Sequence, residues 1–188
     1  MPEELVNKYH KTINLPFFGP YITGRKITRK EANTTKQPHV FVMLLLKDGE
    51  GRILLQQRAA SKNDYPNFYT TSASGGLQAT KGPFAVSEFI KGAAIREAIE
   101  ELGIERQSIK KLKVLWKIPR EIDSDNPHRL YLPLIAEYEG SFKINEKEVN
   151  PKGTTHYSTQ EISELLKKEK FTPAARVILM HYLKTLNK

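Results

Sequence analysis

No cysteine occurs in the chain, which excludes disulfides, thiolate metal ligands and a cysteine nucleophile. Long apolar runs are missing too: the longest, VFVMLLL at residues 40–46, falls far short of the roughly 20 residues that span a bilayer. The first ten residues, MPEELVNKYH, carry acids and no apolar leader segment, so the expectation is a soluble, cytoplasmic protein with no membrane contact. Acids are the minority charge. Against 30 Lys and Arg stand 21 Asp and Glu, a net charge of +9, and the resulting field favours phosphates, nucleotides or nucleic acid as partners. At 188 residues the chain is long enough to bury a core as one domain with appended terminal elements.

Residues 1–36 read as an N-terminal arm packed on the domain, with tight glycine sites in FFGPYITGRK and a basic run, GRKITRKEANTTKQ. That run has no interleaved aromatics, so a solvated basic surface is favoured over a nucleic-acid platform. Two roles stay open to the arm, covering a substrate or forming a homodimer contact. Residues 37–175 read as the main domain and 176–188 as a C-terminal helix completing it. From His39, HVFVMLLLKDGEGRILLQQR predicts a hairpin of two strands about a DGEG turn. NFYTTSAS predicts a third strand ending at Gly75 and Gly76. A helix is predicted from about Ser87 to Leu102, with Gly103 as the left-handed residue that ends it. LKVLWKIPRE and RLYLPLIAEYEG predict two more strands. STQEISELLKKEK opens like a capping box, and a last helix follows FTP. Strands, helix, strands, then helices point to an α/β or α+β sandwich.

The predicted helix from Ser87 carries Arg96, Glu97, Glu100 and Glu101 within six residues. Residues three and four apart share a helix face, and like charges at that spacing destabilise an isolated helix. A divalent cation resolves the repulsion, since hard ions prefer oxygen ligands and Mg²⁺ takes one or two carboxylates plus phosphate oxygens and waters. An ordinary solvated charge run is the competing explanation. The wider spacing decides between them: Gly82, then Glu88, Arg96, Glu97, Glu100, Glu101 and Gly103 stand at fixed intervals. At typical residue frequencies such a pattern arises by chance on the order of once in 10⁸ starting positions.

The pattern resembles the Nudix box, G-x5-E-x7-R-E-U-x-E-E-x-G-U with U aliphatic, departing from it only in Ala98 at the first U. The resemblance implies an α/β fold, the Nudix-type α/β/α sandwich with a mixed sheet. It also implies metal-dependent attack of water on a diphosphate linked to another moiety. Carried over residue by residue, Glu97, Glu100 and Glu101 are expected as ligands of Mg²⁺ or Mn²⁺, Glu88 as a carboxylate behind them, and Arg96 as the cation that orients the glutamates. Many family members use a carbonyl of a Gly-Gly pair at the metal. Here Gly75 and Gly76 precede Gly82 by an insertion, and Gly76, directly after a strand, is preferred over Gly82 for that place.

GRILLQQRAASKNDYPNFYTTSASGG, NEKEV and KFTPAARVIL resemble the branch that contains isopentenyl-diphosphate isomerases and hydrolase relatives. The isomerases use a cysteine and a metal-binding histidine where this chain has Ser74 and Gly76. A serine hydroxyl is a far weaker acid than a thiol, so the hydrolases are favoured. The resemblance suggests phosphate contacts for Arg58 and Lys62. For the general base it leaves Glu100, Glu146 and Glu148, with Glu148 preferred. His128 could reach the site, and Trp116, Phe84 and Tyr65 could stack on a substrate, although packing roles suit all four. The partner expected is a small-molecule diphosphate; an isomerase and a nucleotide- or RNA-binding module are the alternatives.

Overall fold

The computed structural model describes residues 5–15, 19–28, 31, 34–37, 39–78, 90–115, 123, 125, 126 and 128–186. Strands β1 (Leu5–Leu15), β2 (Gly19–Thr28), β3 (His39–Lys47), β4 (Ile53–Arg58), β5 (Tyr69–Thr70) and β6 (Ala73–Gly76) come first. Helix α1 (Ile90–Leu102) follows, then β7 (Ile109–Val114), β8 (Arg129–Tyr138), β9 (Val149–Tyr157), α2 (Thr159–Lys168) and α3 (Pro173–Leu186).

β3 is the organising strand. It runs parallel to β8 from His39 opposite Arg129 to Lys47 opposite Glu137, and pairs antiparallel with β6 and β4 on its other edge. β4 in turn carries β5 and β9, and β8 carries β7, giving a mixed sheet. Successive strand residues face opposite sides. Val40, Val42, Leu44 and Leu46 therefore pack with Ala93, Ala94, Ala98 and Leu102 of α1, while Met43 and Leu45 pack with Ile162 of α2 and Ile178 and Leu179 of α3. Both faces are covered, which is why VFVMLLL is continuously apolar instead of alternating. The result is the expected α/β/α sandwich.

Ser158 accepts from the Glu161 amide and the Glu161 carboxylate accepts from the Ser158 amide, so the predicted capping box forms at α2. Gly103 ends α1 at φ 59°, also as predicted.

Several expectations need correction. NFYTTSAS is two short strands with different partners: β5 pairs β4, and β6 pairs β3. The switch lies at Thr71 and Ser72, where the Ser72 hydroxyl donates to the Leu54 carbonyl and accepts from the Leu46 amide at 2.7 Å. A side chain thus supplies the hydrogen bonds at the fork where β3 and β4 diverge. The N-terminal arm contains a two-stranded antiparallel ribbon, joined to the sheet through Lys8 opposite His39. β7 begins three residues earlier than LKVLWKIPRE suggests, and residues 116–121 of that stretch lie outside the described residues. The last helix starts at Pro173, so a boundary at 175/176 falls inside it. β9 was not foreseen from the sequence.

Ala98, the departure from the box, is fully buried between α1 and the sheet. Ala98→Leu, which restores the aliphatic letter, is expected to overpack this contact and cost about 1–3 kcal/mol. Thermal unfolding would register it at roughly 2–4 °C per kcal/mol.

Candidate active site

α1 lies close to the sheet because its inner face is built of Ala93, Ala94 and Ala98. The same approach brings Glu97 onto Gly75. A Cβ placed on Gly75 would stand 1.8 Å from Glu97 Oε1, so only glycine admits the carboxylate there. Glu101, one turn on, accepts at Oε2 from Gln56 Nε2 at 2.9 Å and from the Ser74 amide at 3.1 Å. Both residues are 7% exposed. Arg96 donates Nη1 to Glu97 at 2.6 Å and to Glu100 at 3.1 Å, and Nη2 to the Gly76 carbonyl at 2.9 Å. It thereby holds the helix, the glutamates and the end of β6 together.

Glu148 reaches the site by way of the end of α1. The Leu102 carbonyl accepts from the Lys143 amide at 2.7 Å and the Glu101 carbonyl from the Asn145 amide at 2.9 Å, so unpaired helix-terminal carbonyls capture the segment before β9. Gly103 permits this approach, since a Cβ there would meet the Lys143 carbonyl at 2.7 Å. Three residues beyond Asn145, Glu148 is ion-paired with Lys62.

Glu97, Glu101, Glu148, Arg58, Lys62, Ser74 and Gly75 line one cavity of about 150 Å³. Phe41, Asp64, Tyr65, Asp123, Arg129 and Tyr131 also line it. Tyr131 donates to Asp123 at 2.7 Å, and the Tyr65 hydroxyl donates to Asp125 at 3.0 Å.

Three expected site residues are placed differently. Glu100 is outside the cavity, with its side chain half exposed and held by Arg96, because it lies on the flank of α1 turned away from Gly75. The Gly76 carbonyl is engaged by Arg96, and Gly75 lines the cavity instead. Glu146 is exposed and only Glu148 faces inward. Tyr65 lines the cavity, whereas His128 packs its ring 5.3 Å from that of His39. Gly82, Phe84, Glu88 and Trp116 lie outside the described residues.

The electrostatics are unusual for a basic protein. Burial drives the Glu97 carboxyl up to about 8, with Glu101 adding to the rise and Arg96 opposing it. Burial likewise pushes Glu101 up to about 7, while the bonds from Gln56 and Ser74 hold it back. Among the described residues no three Asp, Glu, His or Cys side chains form a closed metal cage. Two buried carboxylates with an all-oxygen surround and open space beside them nevertheless fit a hard divalent cation that keeps waters and substrate oxygens as further ligands.

A family profile, the NUDIX domain, matches residues 36–182. The chain belongs to the Nudix hydrolase family. An isopentenyl-diphosphate Delta-isomerase of Dictyostelium discoideum is 29% identical over 161 residues, 78% of this chain and 67% of that protein. A prenyl-diphosphate phosphatase of Methanosarcina mazei is 36% identical over 91 residues, 48% of this chain and 46% of that protein. The branch suggested by the flanking motifs is thus supported by two similar proteins, the second matched over less than half its length. A Deinococcus radiodurans crystal structure superposes with a TM-score of 0.67 at 14% identity, covering 95% of this chain and 98% of that one. A bifunctional NMN adenylyltransferase/ADP ribose pyrophosphatase from Francisella tularensis, complexed with AMP and Mn ion, gives 0.52 at 16%, covering 79% and 42%. At these identities the likeness is one of fold.

Two outcomes follow for this Nudix site. The folded metal-free protein retains protons on Glu97 and Glu101 that the unfolded chain releases near pH 4.5, so stability declines as pH rises from there through about 8. With a chelator present, the melting temperature should fall between pH 6.5 and 8.5; Glu97→Gln should flatten that slope, and Mg²⁺ or Mn²⁺ should reverse it. Gly75→Ala should still fold but expel the Glu97 carboxylate, weakening divalent-metal affinity about tenfold or more by calorimetry.

Proposed function

We propose that the chain is a Mg²⁺- or Mn²⁺-dependent pyrophosphohydrolase that cleaves a diphosphate linked to another moiety, with water attacking phosphorus. The observation that carries this reading is the juxtaposition, in one cavity, of the buried carboxylates Glu97 and Glu101 with Arg58, Lys62 and Glu148. The activities named for the Methanosarcina and Francisella proteins agree with it.

Glu97 and Glu101 would hold the cation, with the glycine of Gly75 keeping the place open. A bound divalent cation supplies charge neutralisation and a more acidic water. Arg96 fixes the Glu97 carboxylate by its short bond and ties α1 to β6, so the two acids keep their spacing as substrate arrives. Gln56 and the Ser74 amide fix Glu101 in the same way. Arg58 and Lys62 receive phosphate oxygens and stabilise charge developing on them. Glu148 is the general base: its Oε2 is held by Lys62, and its Oε1 is the atom to accept a proton from the attacking water. Glu100, on the outer flank, acts through Arg96.

Isomerisation of an allylic diphosphate is the second reading, favoured by the resemblance to the Dictyostelium isomerase. Against it, Ser74 lines the cavity where the resemblance calls for the acidic thiol, and the chain has no cysteine.

The test is incubation with Mg²⁺ or Mn²⁺ and a panel of nucleoside diphosphate sugars, dinucleoside polyphosphates, NADH, coenzyme A, nucleoside triphosphates and isopentenyl diphosphate, with products identified by mass. Hydrolysis of at least one member is expected, and Glu101→Gln should lower kcat by about 100-fold, near 2.7 kcal/mol. Turnover untouched by Glu101→Gln and Glu148→Gln would refute the assignment, and dimethylallyl diphosphate as product would establish the isomerase.

A further inference from the structure

The same cavity contains a third cation. Arg129, at the start of β8, lines the cavity with Arg58 and Lys62, and its side chain is only 10% exposed. Its guanidinium carbon lies 5.1 Å above the Phe41 ring, and Nη2 meets Asp64 Oδ2 at 3.2 Å. Asp64 differs sharply from it: the carboxylate is 55% exposed and stands on the loop between β4 and β5. Desolvating a guanidinium costs several kcal/mol, which the neighbouring Tyr131 hydroxyl and the ion pair to Asp64 offset between them, and a solvated acid contributes the smaller and more replaceable share. The pair is lopsided, with the cation fixed and the anion free to leave.

A structural staple between loop and strand would account for such a pair if the loop needed one. It is secured otherwise. The Arg58 amide donates to the Phe68 carbonyl at 2.9 Å, the Asn67 amide to the Arg58 carbonyl at 3.2 Å, and Arg58 Nε to the Asp64 carbonyl at 2.9 Å. The Tyr65 hydroxyl fastens the same loop to Asp125. All of these survive removal of the Asp64 carboxylate.

We propose that Arg129 binds an anionic oxygen of the substrate's diphosphate, and that Asp64 is a stand-in anion which the substrate displaces. The guanidinium fork matches phosphate geometry, and its stacking on Phe41 presets the plane. The three cations share the cavity with the carboxylates of Glu97 and Glu101, so the lining suits a diphosphate that arrives with a divalent cation. The proposal rests on the hydrolase reading for the identity of the ligand, but it is tested by binding.

The probe is imidodiphosphate, which resists hydrolysis, titrated calorimetrically with Mg²⁺ into the full chain. Asp64→Asn removes the competitor and leaves Arg129 in place, so affinity should rise about two- to fivefold. Arg129→Gln should weaken binding about tenfold or more, and Arg129→Lys, lacking the fork, should restore only part of it. Unchanged or weaker binding by Asp64→Asn, or failure of the wild type to bind imidodiphosphate, would overturn the proposal. Should Arg129→Gln fail to fold, the gain expected of Asp64→Asn decides alone. Tightening by Asp64→Asn together with silence across the substrate panel would leave the anion site standing and refute the hydrolase reading instead.

Discussion

The distance between α1 and the sheet is the constraint on which the site depends. Alanines on the inner face of the helix and glycine at residue 75 let two surfaces approach more closely than larger side chains would allow. That closeness places Glu97 and Glu101 in low dielectric, where an anion is costly and a cation is the natural remedy. Packing and chemistry are therefore one feature here: residues too small to fill space create the electrostatic demand. Arg96 meets part of it from the flank, and the remainder faces the cavity.

The helix end has a comparable double role. Its last carbonyls lack partners within the helix, and the segment at residues 143–145 supplies them. Glu148 reaches Lys62 as a consequence of satisfying backbone hydrogen bonds, with no contact between the two segments in sequence. Gly103 serves both the turn and the approach. Function in this family is carried on a scaffold whose loops vary, and membership fixes the class of enzyme without naming a substrate.

The local parts of this architecture were legible in the sequence. Periodicity gave β3, β4 and β8, the capping box gave α2, and the spacing of Arg96, Glu97 and Glu101 gave the motif helix. Parts set by register were not. Arg129, Tyr131 and Asp123 carry no local signature; the first two enter the cavity because β8 runs parallel to β3 with Arg129 opposite His39, and Asp123, ahead of the strand, accepts from the Tyr131 hydroxyl. Helical spacing groups Glu100 with Glu97 and Glu101, but the packing of α1 against Gly75 is a tertiary fact, and it puts Glu97 and Glu101 in the cavity lining and Glu100 on Arg96. β9 was overlooked because VNPKGTTHY, with Pro and Gly inside it, has no strand alternation; it forms by pairing with β4 across a register shift.

The central position of β3 also sets a schedule for synthesis. Its antiparallel neighbours β4 and β6 emerge soon after it, but the strand that completes its other edge begins only at residue 129, and the helices that cover its second face lie later still, up to residue 186. At translation rates of about 5–20 residues per second, VFVMLLL waits for several seconds with one edge and one face uncovered. Such a segment is prone to pair with another copy of itself. The same strand that makes the finished sandwich stable is thus the one most open to mispairing while the chain grows.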